Sequence, residues 1–239
     1  MQTTLGTFNE VETGQAFTLQ NHKLLKIELA AVTVQAKLGS MVAYQGDVTF
    51  EHAGSGGMGR LMKKALTGEG TDLMKITGTG EVFVADSAMD IHLVYLEGET
   101  ITVNGRNLLA FDAGIDWDIR KIEGGGGAMM AGGLFNTQLT GTGWVAILSD
   151  GPPVLLDVAS APTFADAQSA ITWSAGVTCA LRTDFKMKNL IGRGSGESLQ
   201  LAFQGEGWVL IQPSEGRVVP TTGGGSGSNN NPLGNLLGG

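Results

Sequence analysis

Gly54-Ser55-Gly56-Gly57-Met58-Gly59 comes nearest of any segment in this chain to a ligand-binding signature. Gly-x-Gly-x-x-Gly cradles a pyrophosphate when it follows a strand, opens a helix in a parallel βαβ unit and has an acid about 20 residues on. Here comparable loops recur between strand-like runs without a helix pattern. The Gly-Lys-Ser/Thr ending of a phosphate loop is also missing, since Arg60 and Leu61 follow Gly59. A flexible or oligomer-contacting loop is the better reading. His22, His52 and His92 stand far apart and form no His-x-His pair; a metal site would need them brought together with acids such as Glu51 or Asp90. They are expected at the surface or in turns. Cys179 lies in the strand-like run Gly-Val-Thr-Cys-Ala-Leu and reads as a small buried hydrophobe rather than a nucleophile. Asp116 and Asp118 alternate with Ile115, Trp117 and Ile119, which is the polar face of a half-buried strand. No Gly-x-Ser-x-Gly elbow or Ser/His/Asp set accompanies them. The expectation is a non-enzyme with no catalytic residue, no cofactor, no nucleotide and no metal.

The elements that would position any site are short strands. Glu81-Val82-Phe83-Val84, Ile115 to Ile119 and Leu199 to Phe203 alternate with period two, bounded by Gly, Asp and Asn. One stretch, Met58 to Leu66, has helical spacing and ends before Gly68. An internal repeat overlies this pattern. GTGEVFVA (78–85), GTGWVAIL (141–148) and GEGWVLIQ (205–212) start 63 and 64 residues apart. AYQGDVTF (43–50), AFDAGIDW (110–117) and TWSAGVTC (172–179) each place an aromatic two or three residues before a glycine, which reads as a hairpin turn. Trp117, Trp144, Trp173 and Trp208 fall in or beside these motifs and read as core. The expected architecture is all-β, threefold internally repeated, with one short helix. Residues 1–216 form one domain with units near 24–90, 91–155 and 156–216, and 217–239 form a disordered Gly/Ser/Asn-rich tail.

The net charge of −8 disfavours binding to a phosphate backbone, so no nucleic acid is expected. Arg60, Lys63 and Lys64 read as one solvated helix face. A single cysteine rules out an intrachain disulfide and fits a reducing compartment. The start of the chain lacks a basic segment followed by an apolar run, and no stretch reaches the roughly 18–20 apolar residues of a spanning helix. A cytoplasmic protein is expected.

Three stretches carry a resemblance. GGMGRLMKKALTGEGTDLMKITGTGEVFVAD (56–86) resembles the signature of the altered-inheritance-of-mitochondria family of mitochondrial biogenesis proteins. GGLFNTQLTGTGWVAILSDG (132–151) and GESLQLAFQGEGWVLIQPSEG (196–216) are similar to later parts of the same domain, so the resemblance runs from about residue 5 to residue 216. It implies a double-stranded β-helix-like sandwich akin to the tryptophan RNA-binding attenuation protein, repeated within one chain. It also implies a bacterial-type member of unknown function. Mitochondrial members are associated with inner-membrane architecture, and no family activity or catalytic residue is implied. RNA binding is not carried over with the fold.

Gly-rich inserts at 54–70, 124–133 and 192–198 separate the two repeated motifs. The first carries Leu61, Met62 and Leu66; the second, with its flank, carries Met129, Met130, Leu134 and Phe135. Apolar, Met-rich loops at repeat-equivalent positions suit adaptable contacts. The functional expectation is a scaffold or protein-interaction module, a homo-oligomer with a further protein partner. Peripheral membrane contact through the same loops is a variant of it. The alternative is a small-ligand-binding β module.

Overall fold

A computed structural model describes residues 3–30, 32–52, 72–122, 135–181 and 200–214. Among these residues the chain is almost wholly β, with two short 3-10 turns at Leu5–Phe8 and Gly105–Asn107. The helix expected at 58–66, the insert residues up to Leu134 and the tail from 217 lie outside the described residues.

The strands fall into three consecutive stretches. The first holds β1 (Phe17–Asn21), β2 (Leu24–Ala30), β3 (Val34–Lys37), β4 (Met41–His52) and β5 (Leu73–Val84). The second holds β6 (Asp90–Asn104), β7 (Leu108–Asp112), β8 (Asp116–Lys121) and β9 (Phe135–Ser149). The third holds β10 (Val154–Asp157), β11 (Thr163–Asp166), β12 (Ala170–Ser174), β13 (Val177–Leu181), β14 (Gln200–Gly205) and β15 (Trp208–Ile211). They form large antiparallel sheets, one of 12 strands and one of 3.

Each Gly-x-Gly motif sits in the last strand of its stretch, or, in the third, between the last two. In the first, β2 pairs with Thr79–Val84 of β5, and β3 pairs with Leu73–Ile76, before the glycines. The two ends of β6 pair with β9 in the same way. In the third stretch the motif breaks the strand, so β10 pairs with β15 and β11 with β14. On the opposite side, β4 runs along all of β5, β7 and β8 share β9, and β12 and β13 pair with β15 and β14. Counted from the glycines, the registers coincide: Tyr44↔Val82, Phe111↔Val145 and Trp173↔Val209 each lie two residues past the second glycine. A register shift also falls at the same place in each, between Met41/Ala43, Leu108/Ala110 and Ala170/Thr172.

This pairing revises the role of Gly46, Gly114 and Gly176. They do not close hairpins, because β7 pairs with β3 and β9 but not with β8. They mark corners where a strand changes direction beside the Gly-x-Gly strand. The six motif glycines hold φ between +119° and +148°, a region L side chains rarely enter. At Gly80 a Cβ would also collide with the carbonyl oxygen of Gln45. Two strands bend in close register there, and glycine is what allows them to approach.

The stretches join edge to edge. β3 pairs with β7 (Val34↔Asp112, Gln35↔Phe111, Ala36↔Ala110), and β6 pairs with β12 (Ile101↔Ser174, Thr102↔Trp173, Val103↔Thr172). Alternate inward side chains build three apolar clusters, around Ile27, Ile76 and Leu109, around Phe111, Trp117 and Ile147, and around Trp173, Phe203 and Val209. Burying such side chains contributes about 1.5–3 kcal/mol each. Trp117 and Trp173 are core, as expected, and Trp144 and Trp208 pack partly buried against the first two clusters.

Candidate interaction surface

The longest exposed edge of the described residues is β4. Its twelve residues, MVAYQGDVTFEH, pair with β5 on one side, and no strand of the described residues pairs on the other. Met41, Val42 and Tyr44 are 38%, 61% and 50% exposed. Their register counterparts are not: Leu108, Leu109 and Phe111 in β7 and Ala170, Ile171 and Trp173 in β12 are all buried. The difference is the neighbouring strand. β3 covers β7 and β6 covers β12, whereas β4 has no such cover among the described residues. Tyr44 rests edge-on against Phe50, ring centroids 5.3 Å apart, which fixes its side chain along the strand. An exposed apolar edge strand offers both backbone hydrogen bonds and side-chain contact to a partner.

Several ionisable groups have structural partners. Lys26 occupies the position that Leu93 and Leu155 hold in the later stretches. Its side chain is 0% exposed, and Nζ lies 2.6 Å from Glu12, 3.0 Å from Glu81, 3.6 Å from Glu10 and 3.7 Å from Glu28. Burial acts against its charge, but the hydrogen bonds and charges of Glu12 and Glu81 outweigh that and hold its pKa above the ordinary value. Carboxylate oxygens of Glu10, Glu12 and Glu81 lie within 4.8 Å of one another, a spacing a cation could use. The Lys26 ammonium supplies that cation, so the cluster is explained without a metal.

Asp112 accepts a 2.6 Å hydrogen bond from the Trp144 backbone N–H, just past the glycine motif. Burial raises its pKa, and that hydrogen bond partly offsets the shift. Ser174 Oγ does the same for Trp208 N–H at 3.1 Å. Burial lowers the pKa of His92, which the charge of Asp90 partly opposes, and its Nε2 lies 2.7 Å from Ser149 Oγ. Asp86 faces opposing influences: burial raises its pKa, while hydrogen bonds from Lys37 and Ser87 bring it below the ordinary value.

Of the residues singled out by sequence, His22 and His52 are exposed as expected, whereas His92 is half-buried in β6. Burial pushes the Cys179 thiol up to about 12, which fits a packed side chain and not a thiolate. Leu61, Met62, Leu66, Met129, Met130 and Leu134 lie outside the described residues. Phe135 begins β9, paired in register with Lys121. Sequence reasoning missed the β4 edge and Lys26. For the edge no local signal was available, since AYQGDVTF has the same aromatic–glycine pattern as AFDAGIDW and TWSAGVTC, whose counterpart residues are buried.

Among the described residues these features define a mostly β, antiparallel protein whose longest exposed edge is an apolar strand. The chain belongs to the mitochondrial biogenesis AIM24 family, whose model matches residues 17–214. No curated protein matches it. Among solved structures it is similar to protein SPYM3_0169 from Streptococcus pyogenes, with a TM-score of 0.67 at 20% identity, over 83% of this chain and 92% of that one. That likeness speaks to the fold. No helix among the described residues is long and apolar enough to cross a membrane.

Proposed function

We propose that the chain is a threefold-duplicated, non-catalytic β scaffold that presents variable Gly-rich inserts to a protein partner. The observation that carries this reading is the common register of the insert anchors. The inserts at 54–70, 124–133 and 192–198 lie between strands paired four residues before the first motif glycine at His52↔Met74, Ile119↔Thr137 and Leu181↔Leu201. A repeated frame with dissimilar inserts at equivalent points is how repeat proteins build binding surfaces. The Met and Leu content of the inserts suits an apolar partner. The shared register shift and the shared corner positions support duplication of one unit. The double-stranded β-helix likeness and a cytoplasmic setting belong to the same proposal.

The test is capture from native cells with the wild-type chain and with a Met129→Ser, Met130→Ser, Phe135→Ser variant. Loss of a captured partner with unchanged melting supports the reading. Melting that drops sharply while capture persists overturns it, because the inserts would then be core.

A further inference from the structure

The described strand edges differ in one respect that the duplication makes visible. At the β3–β7 junction the Ala113 N–H donates to Thr33 O at 3.1 Å, and at the β6–β12 junction the Ala175 N–H donates to Thr100 O at 3.2 Å. Counting from Phe111 and Trp173, the residue in that place in β4 is Gly46, two after Tyr44. The alternation of a strand then turns the N–H and C=O groups of Tyr44 and Gly46 away from β5. The third strand of the covering class is β11, in register with β3 and the end of β6. It pairs with β14 in the three-stranded sheet and not with β4.

We infer that the first half of β4 pairs antiparallel with β4 of a second copy of this chain, about a two-fold axis through Tyr44. This deepens the scaffold reading and rests on it, naming a second copy as one partner. Isologous pairing needs only one surface, and a two-fold brings that surface against itself. The window Met41 to Gly46 contains no charge, although the chain carries −8. Like charges therefore do not meet across the axis, where they would destabilise the pair. Tyr44 then faces Tyr44 of the second copy as a hydrogen-bonded pair, with Val42 opposite Gly46. The half-exposed Tyr44, Val42 and Met41 lose contact with water on pairing.

The experiment uses the full chain. Light scattering after gel filtration over a dilution series should show a dimer that dissociates. Tyr44→Asp should weaken self-association at least 10-fold, while a Tyr44→Phe control, which keeps the ring on Phe50, should leave both the melting of dilute protein and self-association close to wild type. Hydrogen exchange at the Tyr44 and Gly46 amides should slow with concentration. In a Tyr44→Cys, Cys179→Ser chain, mild oxidation should give a disulfide dimer, because a hydrogen-bonded pair places Cα atoms about 5.5 Å apart. A monomer at all concentrations overturns the inference, and if those amides are nonetheless protected the chain covers the edge itself. An oligomer indifferent to Tyr44→Asp, or one broken by it yet never cross-linked, also overturns two-fold pairing. Neither failure touches partner capture by the inserts, which is scored separately.

Discussion

Gly80 and Gly141 occupy two positions of one repeated motif, yet alanine should cost very different amounts at each. Both have positive φ, +142° and +140°, and an L residue held there costs about 1–3 kcal/mol. At Gly141 that is the whole penalty, since the nearest atom to a new Cβ is Ile115 Cα at 3.5 Å, an ordinary contact. At Gly80 the Cβ would overlap the Gln45 carbonyl oxygen and approach Gly46 Cα at 3.0 Å, all backbone. β4 must then move off β5. Each ladder bond weakened costs about 0.5–1.5 kcal/mol, and more where a group is left unpaired. The expected losses are about 3–5 kcal/mol for Gly80→Ala and about 1–3 kcal/mol for Gly141→Ala. Domains commonly have only about 5–15 kcal/mol to lose. Urea unfolding followed by tryptophan fluorescence resolves the gap, since Trp117 and Trp173 are buried. With a slope near 3 kcal/mol/M, a difference of about 2 kcal/mol moves the midpoint by roughly 0.7 M. Equal losses, or a larger loss at Gly141, would refute the steric account of the motif.

Three further outcomes follow from named contacts. Asp112→Ala strips the partner from the Trp144 N–H and should cost about 1–3 kcal/mol, whereas Asp112→Ser, which copies Ser174, should recover most of it in the same urea assay. Lys26→Met leaves Glu12 and Glu81 facing each other without their cation. It should cost about 2–4 kcal/mol, somewhat under the roughly 3–5 kcal/mol of a fully buried pair because the carboxylates reach water. The folded pKa of Lys26 is raised, so its contribution is complete below the unfolded value of about 10.4 and is lost as pH rises through the folded value; the gap between Lys26→Met and wild type in unfolding midpoints should narrow only above that pH. His92 has a folded pKa below its ordinary value, so below about pH 6.5 the unfolded chain takes up a proton that the folded chain resists, and stability falls with pH. His92→Gln should flatten that part of the profile, and an unchanged slope between pH 5 and 7.5 would assign the effect to other groups.

The sequence by itself determined the β content, the three Gly-x-Gly strands and the positions of the three aromatic–glycine motifs. Those depend on period-two alternation and on glycine, which are local properties of the chain. Spacing alone set Tyr44, Phe111 and Trp173 in correspondence, and the registers agree. The candidate site was much less legible. An aromatic followed by glycine looks like a hairpin in sequence, and only the pairing of β7 and β8 with β9 makes it a corner. Lys26 reads as an ordinary solvated lysine until residues 14 and 55 positions away, Glu12 and Glu81, close over it. Gln212 and Asn107, 105 residues apart, meet in a buried hydrogen bond at 3.2 Å that no local pattern announces. Met41, Val42 and Tyr44 have the same apolar character as their buried counterparts. What separates them is whether a strand from another stretch arrives at that edge, and strand-to-strand contact across the chain is a tertiary decision.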